Sequence, residues 1–265
     1  MGVLGVWDVV LLLVVTLQAT VHAYIPDAQW KAFVYLLPFP FTAAALAVNH
    51  PIDSTNIWAL LILLFYTHGV RLLHVNARMP IHRAIALMLL GCAALGLLLA
   101  PILTYFQHLF SLTLVFWLSC LGILVLSIAV QRVMPVRDEP AQRTPAPLWA
   151  KLPTIAVVVF FLILIKKPLA GFITAFPMVG VVAAYEARQS LWTMSRQVAV
   201  LLPALASMMV AVHLTQSTLG WTLPAAIAAG WVVYMPLIFL CTPVLRARIL
   251  TRQQRGSCEA MPPAD

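Results

Sequence analysis

Charge is what this sequence has least of. Asp, Glu, Lys and Arg together make up 9% of the 265 residues, and only eight of them are acidic; soluble domains carry about a quarter charged residues. Acids are nearly absent from the apolar segments, Asp8 being the exception, placed about one and a half turns into the first. An ion-coupled carrier usually keeps a carboxylate near the membrane midplane, so coupling through Asp or Glu is disfavoured. Cysteine is scarce as well. Cys92, Cys120, Cys241 and Cys258 form no CxxC pair, which excludes a disulfide framework and a zinc site as readings. The seven histidines lack metal-ligand spacing, and His74 and His82 straddle a proline turn. No nucleophile–base constellation, phosphate-cradling loop or carboxylate pair is present. Catalysis therefore has no positive support, and no cofactor or metal is expected.

What is abundant is apolar surface. Hydrophobic residues make up 63% of the chain and its mean hydropathy is +0.98. A chain of this length cannot bury so much in one water-facing core. It reads as an all-α polytopic membrane protein. A crossing helix needs about 20 mainly apolar residues, and nine segments qualify: 3–22, 31–48, 55–74, 84–104, 108–130, 152–166, 169–185, 197–215 and 221–244.

The net charge of +8 comes from short basic clusters between these segments. No aromatic-interleaved basic patch exists, so nucleic acid is not an expected partner; the lipid bilayer is. With the C-terminus placed in the cytoplasm, 14 of the 16 Lys and Arg residues fall on that side, as the positive-inside rule requires. The N-terminus then lies outside. Val21-His22-Ala23 resembles a signal-peptidase site, but the preceding stretch has no positive charge and carries Asp8. Cleavage there would also turn the Arg71–Arg83 cluster outward.

A proline-rich linker at 131–150 divides the chain. Residues 1–130 form a first membrane half plus a connecting helix, 151–245 a second half, and 246–265 a cytoplasmic tail. Phe39-Pro40 recurs at Phe176-Pro177, midway along the second span of each half. Aligning 31–50 with 168–187 pairs Phe39, Pro40 and Ala47 with identical residues and nothing else. Span order, more than identity, predicts an inverted repeat of two four-helix halves joined by one helix.

The second half, roughly 155–245, resembles the GlpM-like family of small bacterial inner-membrane proteins. The residues carrying the resemblance are Lys166-Lys167-Pro168-Leu169-Ala170-Gly171-Phe172-Ile173, then Phe176-Pro177, Ala184-Tyr185, and Leu223-Pro224-Ala225-Ala226. The first half keeps only the FP pair. The resemblance implies a four-helix unit and an inner-membrane location, and supplies no substrate.

Lys166 and Lys167 are the two basic residues placed outside, beside the turn into the seventh span. They could snorkel to headgroups or, with the free N–H groups of a helix start, hold an anion. Lys31, at the start of the second span, would be their cytoplasmic counterpart. Pro38, Pro40 and Pro177 are expected to break their helices, either as structural kinks or to line a cavity. Spans two and seven should therefore pack together near the centre, with Ala43, Ala44, Gly171 and Gly180 allowing close approach. His68 and Arg71, with His74, would share a helix face as a relay, although such residues more often mark a cytoplasmic helix end.

These features point to a small-solute transporter or permease, with anions among the candidate solutes. The rivals are a non-transporting accessory or scaffold protein of an envelope system and, less well supported, an integral membrane enzyme acting on lipid.

Overall fold

The structure, a computed structural model, describes residues 5–25, 28–137, 139, 152–153, 155–157, 160, 172, 174 and 176–240. These residues form helices α1 (Val6–Tyr24), α2 (Ala28–Tyr35), α3 (Phe39–Val48), α4 (Ser54–Arg71), α5 (Ile81–Leu109), α6 (Leu112–Val133), α7 (Met178–Glu186), α8 (Leu191–Leu219) and α9 (Leu223–Leu240). A π-helical turn, Leu72–Asn76, extends α4. No strand occurs among them. Seven stretches are long and apolar enough to cross a membrane, α2 and α3 together supplying one of these, Trp30–Val48. The protein is an all-helical, multi-pass membrane protein.

Local chemistry sets the helix starts. Asp53 caps α4, accepting from Thr55 N at 2.8 Å, while its own N–H donates to Asn56 Oδ1 at 2.8 Å, a reciprocal capping box. The Ser111 hydroxyl accepts from Leu114 N and opens α6. α8 stops at Gly220, whose φ of 64° is the left-handed conformation that glycine adopts at least cost.

Packing divides the helices into a centre and a rim. α4 and α8 bury half of their apolar stretch, whereas α5 buries 22% and α6 28%. Leu90, Leu98, Leu118, Leu121 and Val125 point outward from α5 and α6, as a lipid-facing surface must. α1 lies in the centre, with Leu11, Val15, Ala19 and Ala23 fully buried against α3 and α7.

The two ends of the bundle differ sharply in charge. All eight described basic residues, Lys31, Arg71, Arg78, Arg83, Arg132, Arg137, Arg188 and Arg196, gather at one end. There the segment after α6 is strapped across the start of α8. Trp192 Nε1 donates to Pro135 O, Arg196 Nε donates to Met134 O, and the Glu139 carboxylate accepts from Thr193 N in the first turn of α8. The opposite end carries Asn49–Asp53, the end of α5 and the α8–α9 turn. His213 and Gln216 hold the backbone of Ile52 there.

Several expectations need adjusting. Seven of the nine expected spans are matched. The other two, 152–166 and 169–185, fall largely outside the described residues apart from α7. Asp8 is in the first turn of α1, its Oδ2 accepting from Gly5 N at 3.0 Å. It belongs to the helix start and not to the interior, because the helix begins at Val6. Nor does every interior proline break its helix: Pro101 and Pro203 sit inside continuous α5 and α8.

Candidate functional site: a cavity between two helix starts

Pro38 and Pro177 occupy equivalent positions. Each is the N-cap of a short helix, Pro38 of α3 and Pro177 of α7, and Pro40 falls in the first turn of α3. The prolines thus stand at helix breaks, one of the two outcomes expected of them, and open the helix that follows each break. Proline suits a first turn, because the N–H it lacks would have no intrahelical partner anyway. The two helices run in opposite directions from the bundle centre. α3 ends at Asn49, beside the end that carries Asp53, and α7 ends at Glu186, beside Lys31 at the basic end.

The two helix starts line one buried cavity of about 40 Å³, room for about one water molecule. Its walls are Pro38, Pro40 and Phe41 from one start, Phe176 and Val179 from the other, and Tyr35, Thr174 and Leu205 among their neighbours. No acidic residue lines it.

A broken helix frees carbonyls on one side of the break and N–H groups on the other. On the α2 side the carbonyls are taken. Gln18 Nε2, reaching from α1, donates to Val34 O at 2.5 Å and Leu37 O at 3.2 Å. The Tyr234 hydroxyl, from α9, donates to Leu36 O at 2.9 Å. Trp231 Nε1 ties α9 to Thr42 Oγ1 of α3. The negative ends of the break are thus neutralised by built-in donors.

Polar groups continue from the cavity toward both ends. On the side away from the basic end, Asn56 Nδ2 donates to Thr174 Oγ1 at 3.0 Å, and Asn56 is joined to the Asp53 cap. Beyond it lies an open vestibule of about 510 Å³ whose lining includes Asp53, Gln107, His213 and Gln216. Toward the basic end come Tyr35, Tyr66 and His22. The Tyr35 and Tyr66 hydroxyls and both His22 ring nitrogens are buried and have no protein hydrogen-bond partner. The His22 and Tyr35 rings meet edge-on, with centroids 6.4 Å apart.

Gly180 makes this arrangement possible. A Cβ there would stand 2.7 Å from the Tyr35 hydroxyl, 2.9 Å from Pro177 Cβ and 2.9 Å from Tyr66 Cε1. Only a glycine admits both tyrosines beside the α7 backbone.

The other expected residues are placed as follows. Lys31 is 1% exposed, and its Nζ donates to Glu186 O at 2.9 Å. It joins the start of α2 to the end of α7 and is no surface anchor. Lys166, Lys167 and Gly171 lie outside the described residues. Ala43 and Ala44 are buried in α3. Arg71 lies 4.8 Å from the centroid of the Trp192 ring, and Arg137 lies 3.5 Å from it. His68 is half-buried, its Nε2 without a protein partner. His74 is engaged separately, with Nδ1 2.8 Å from Met79 O.

Sequence reasoning passed over Gln18, Tyr35 and Glu186. It treated His22 only as part of a cleavage-like tripeptide. Gln18 was the available signal, an amide inside an apolar span. Among the described residues, no group of three or more His, Cys, Asp or Glu side chains is placed to hold a metal ion.

No family model matches the chain, and neither the curated proteins nor the solved structures provide a similar one.

Proposed function

We propose that the protein is a small-solute transporter or permease of a bacterial inner membrane. The observation that carries this reading is the pair of short helices, α3 and α7, whose starts line one small cavity and which run to opposite ends. Interrupted helices within a membrane are tolerated where they are buried in protein or line a cavity. Polar groups leading from the cavity toward both ends support a path for a solute.

The same geometry favours nine crossings and an inverted repeat. Met134 sits beside Arg196 at the basic end, and Thr174 sits beside Asn56 near the other. Met134 and Thr174 thus stand at different levels of the bundle, which is what a further crossing between them requires, and α7 runs back toward the basic end. α3 and α7 would then be equivalent, oppositely oriented pieces of two halves. By the positive-inside rule the basic end is cytoplasmic. The GlpM-like reading of roughly 155–245 accords with FP opening α7 and Leu223-Pro224 opening α9.

Reporter fusions in the 131–150 linker and after residue 245 test the topology. Cytoplasmic activity is expected at both, and periplasmic activity at either would reject it. Uptake of a solute panel by the full chain in proteoliposomes tests transport. Flux above protein-free vesicles that is lost in Gly180→Val is expected; no movement of any solute would favour the accessory role.

A further inference from the structure

The amide side of the break carries the positive ends of two helix dipoles, each about half a unit charge. Pro40 has no N–H and Met178 N donates to Phe176 O at 2.6 Å, so the first-turn donors that can turn to a guest are those of Phe39, Phe41, Val179 and Gly180. The two helix starts, of a 10-residue helix and a 9-residue one, face the same cavity. The carbonyls that would offset them are bound by Gln18 and Tyr234. Tyr35, 6% exposed, lines the cavity and has a hydroxyl without a protein partner. Tyr66, fully buried, meets it across Gly180.

We infer that the cavity between α3 and α7 is a binding site for a monovalent anion of one to a few atoms, with the Tyr35 hydroxyl as a donor to it. This rests on the transporter reading and names the solute class for the same site. The cavity volume of about 40 Å³ suits an anion of the size of chloride. A cation would meet two positive helix ends and no carboxylate. A neutral solute would satisfy the hydroxyls but leave the dipoles unanswered. The site differs from the expected one at Lys166 and Lys167, because its charge comes from backbone dipoles.

Two measurements on the full-length protein separate this inference from the transporter reading. Chloride binding is read by ³⁵Cl line broadening in detergent, and chloride efflux from proteoliposomes is read under a potassium diffusion potential. Urea flux serves as the neutral probe. The expected result is chloride broadening and chloride efflux, each weakened about ten-fold or more in Tyr35→Phe, since a hydrogen bond to a charged group is lost. Gly180→Ala, which pushes into the site, should abolish both. If Gly180→Ala fails to fold, Tyr35→Phe still decides, because it removes one oxygen and keeps the ring. Broadening without efflux of any probe would keep the site and sink the transporter reading. Urea flux without chloride binding would overturn the anion site and leave transport standing. Chloride binding unchanged in Tyr35→Phe would overturn the placement of the site.

Discussion

The break between α2 and α3 has two faces that the protein treats in opposite ways. On the carbonyl face, donors arrive from distant helices: Gln18 from α1 and Tyr234 from α9. On the amide face, α3 and α7 present their first turns to a cavity, and the adjacent tyrosine hydroxyls are left without protein partners. A buried polar group left unpaired costs about 1–3 kcal/mol, so the contrast is informative. The paired face is scaffold, built to hold an interrupted helix inside a membrane. The unpaired face is where a guest would recover the missing hydrogen bonds.

Substitutions on the two faces should separate stability from binding. The largest loss of stability is expected at Gly180→Leu, which drives a branched side chain into Tyr35, Pro177 and Tyr66. Overpacking of this kind costs about 1–3 kcal/mol or more, read as a lower melting temperature in detergent or as loss of the monodisperse species. Gln18→Leu comes next. It strands the carbonyl of Leu37, at about 1–3 kcal/mol, while Val34 O keeps its bond from Leu37 N; a thermal shift indistinguishable from the original protein would show that the carbonyl face does not need its donor. Tyr234→Phe removes one hydrogen bond, to Leu36 O, and should lower stability by about 1 kcal/mol. The smallest effect is expected at Tyr66→Phe, within about 0.5 kcal/mol of the original, because the deleted hydroxyl bonds nothing in the protein. A large destabilisation by Tyr66→Phe would break the comparison, since it would make that hydroxyl part of the scaffold.

The sequence disclosed the parts of this architecture that the bilayer itself dictates. Span length follows from membrane thickness, and the clustering of Arg71, Arg78, Arg83, Arg132 and Arg196 at one end follows the distribution of charge along the chain. The FP pairs marked both helix starts, because proline leaves a local signature. What holds the first of those starts is non-local. Gln18 meets carbonyls 16 to 19 residues on, and Tyr234 meets one 198 residues back. A single amide or phenol in an apolar run gives no spacing to read. The direction of the prolines' effect was also hidden. Pro40 and Pro101 are both prolines in apolar segments, yet one opens a helix and the other rides inside one. Lys31 illustrates the same limit. Its position suggested a cytoplasmic counterpart to Lys166 and Lys167 in holding an anion, whereas its contact with Glu186 joins residues 155 apart.

The 29-residue length of α5 and α8 has a mechanical consequence. At 1.5 Å per residue each is about 43 Å long, against a hydrocarbon layer of about 30 Å. Such helices lean or reach into the headgroups, at an angle set by their packing against neighbouring helices. α8 is also the helix that places Leu205 against the central cavity. Because α8 is one continuous rod, any change in its lean carries Leu205, and with it that wall of the cavity.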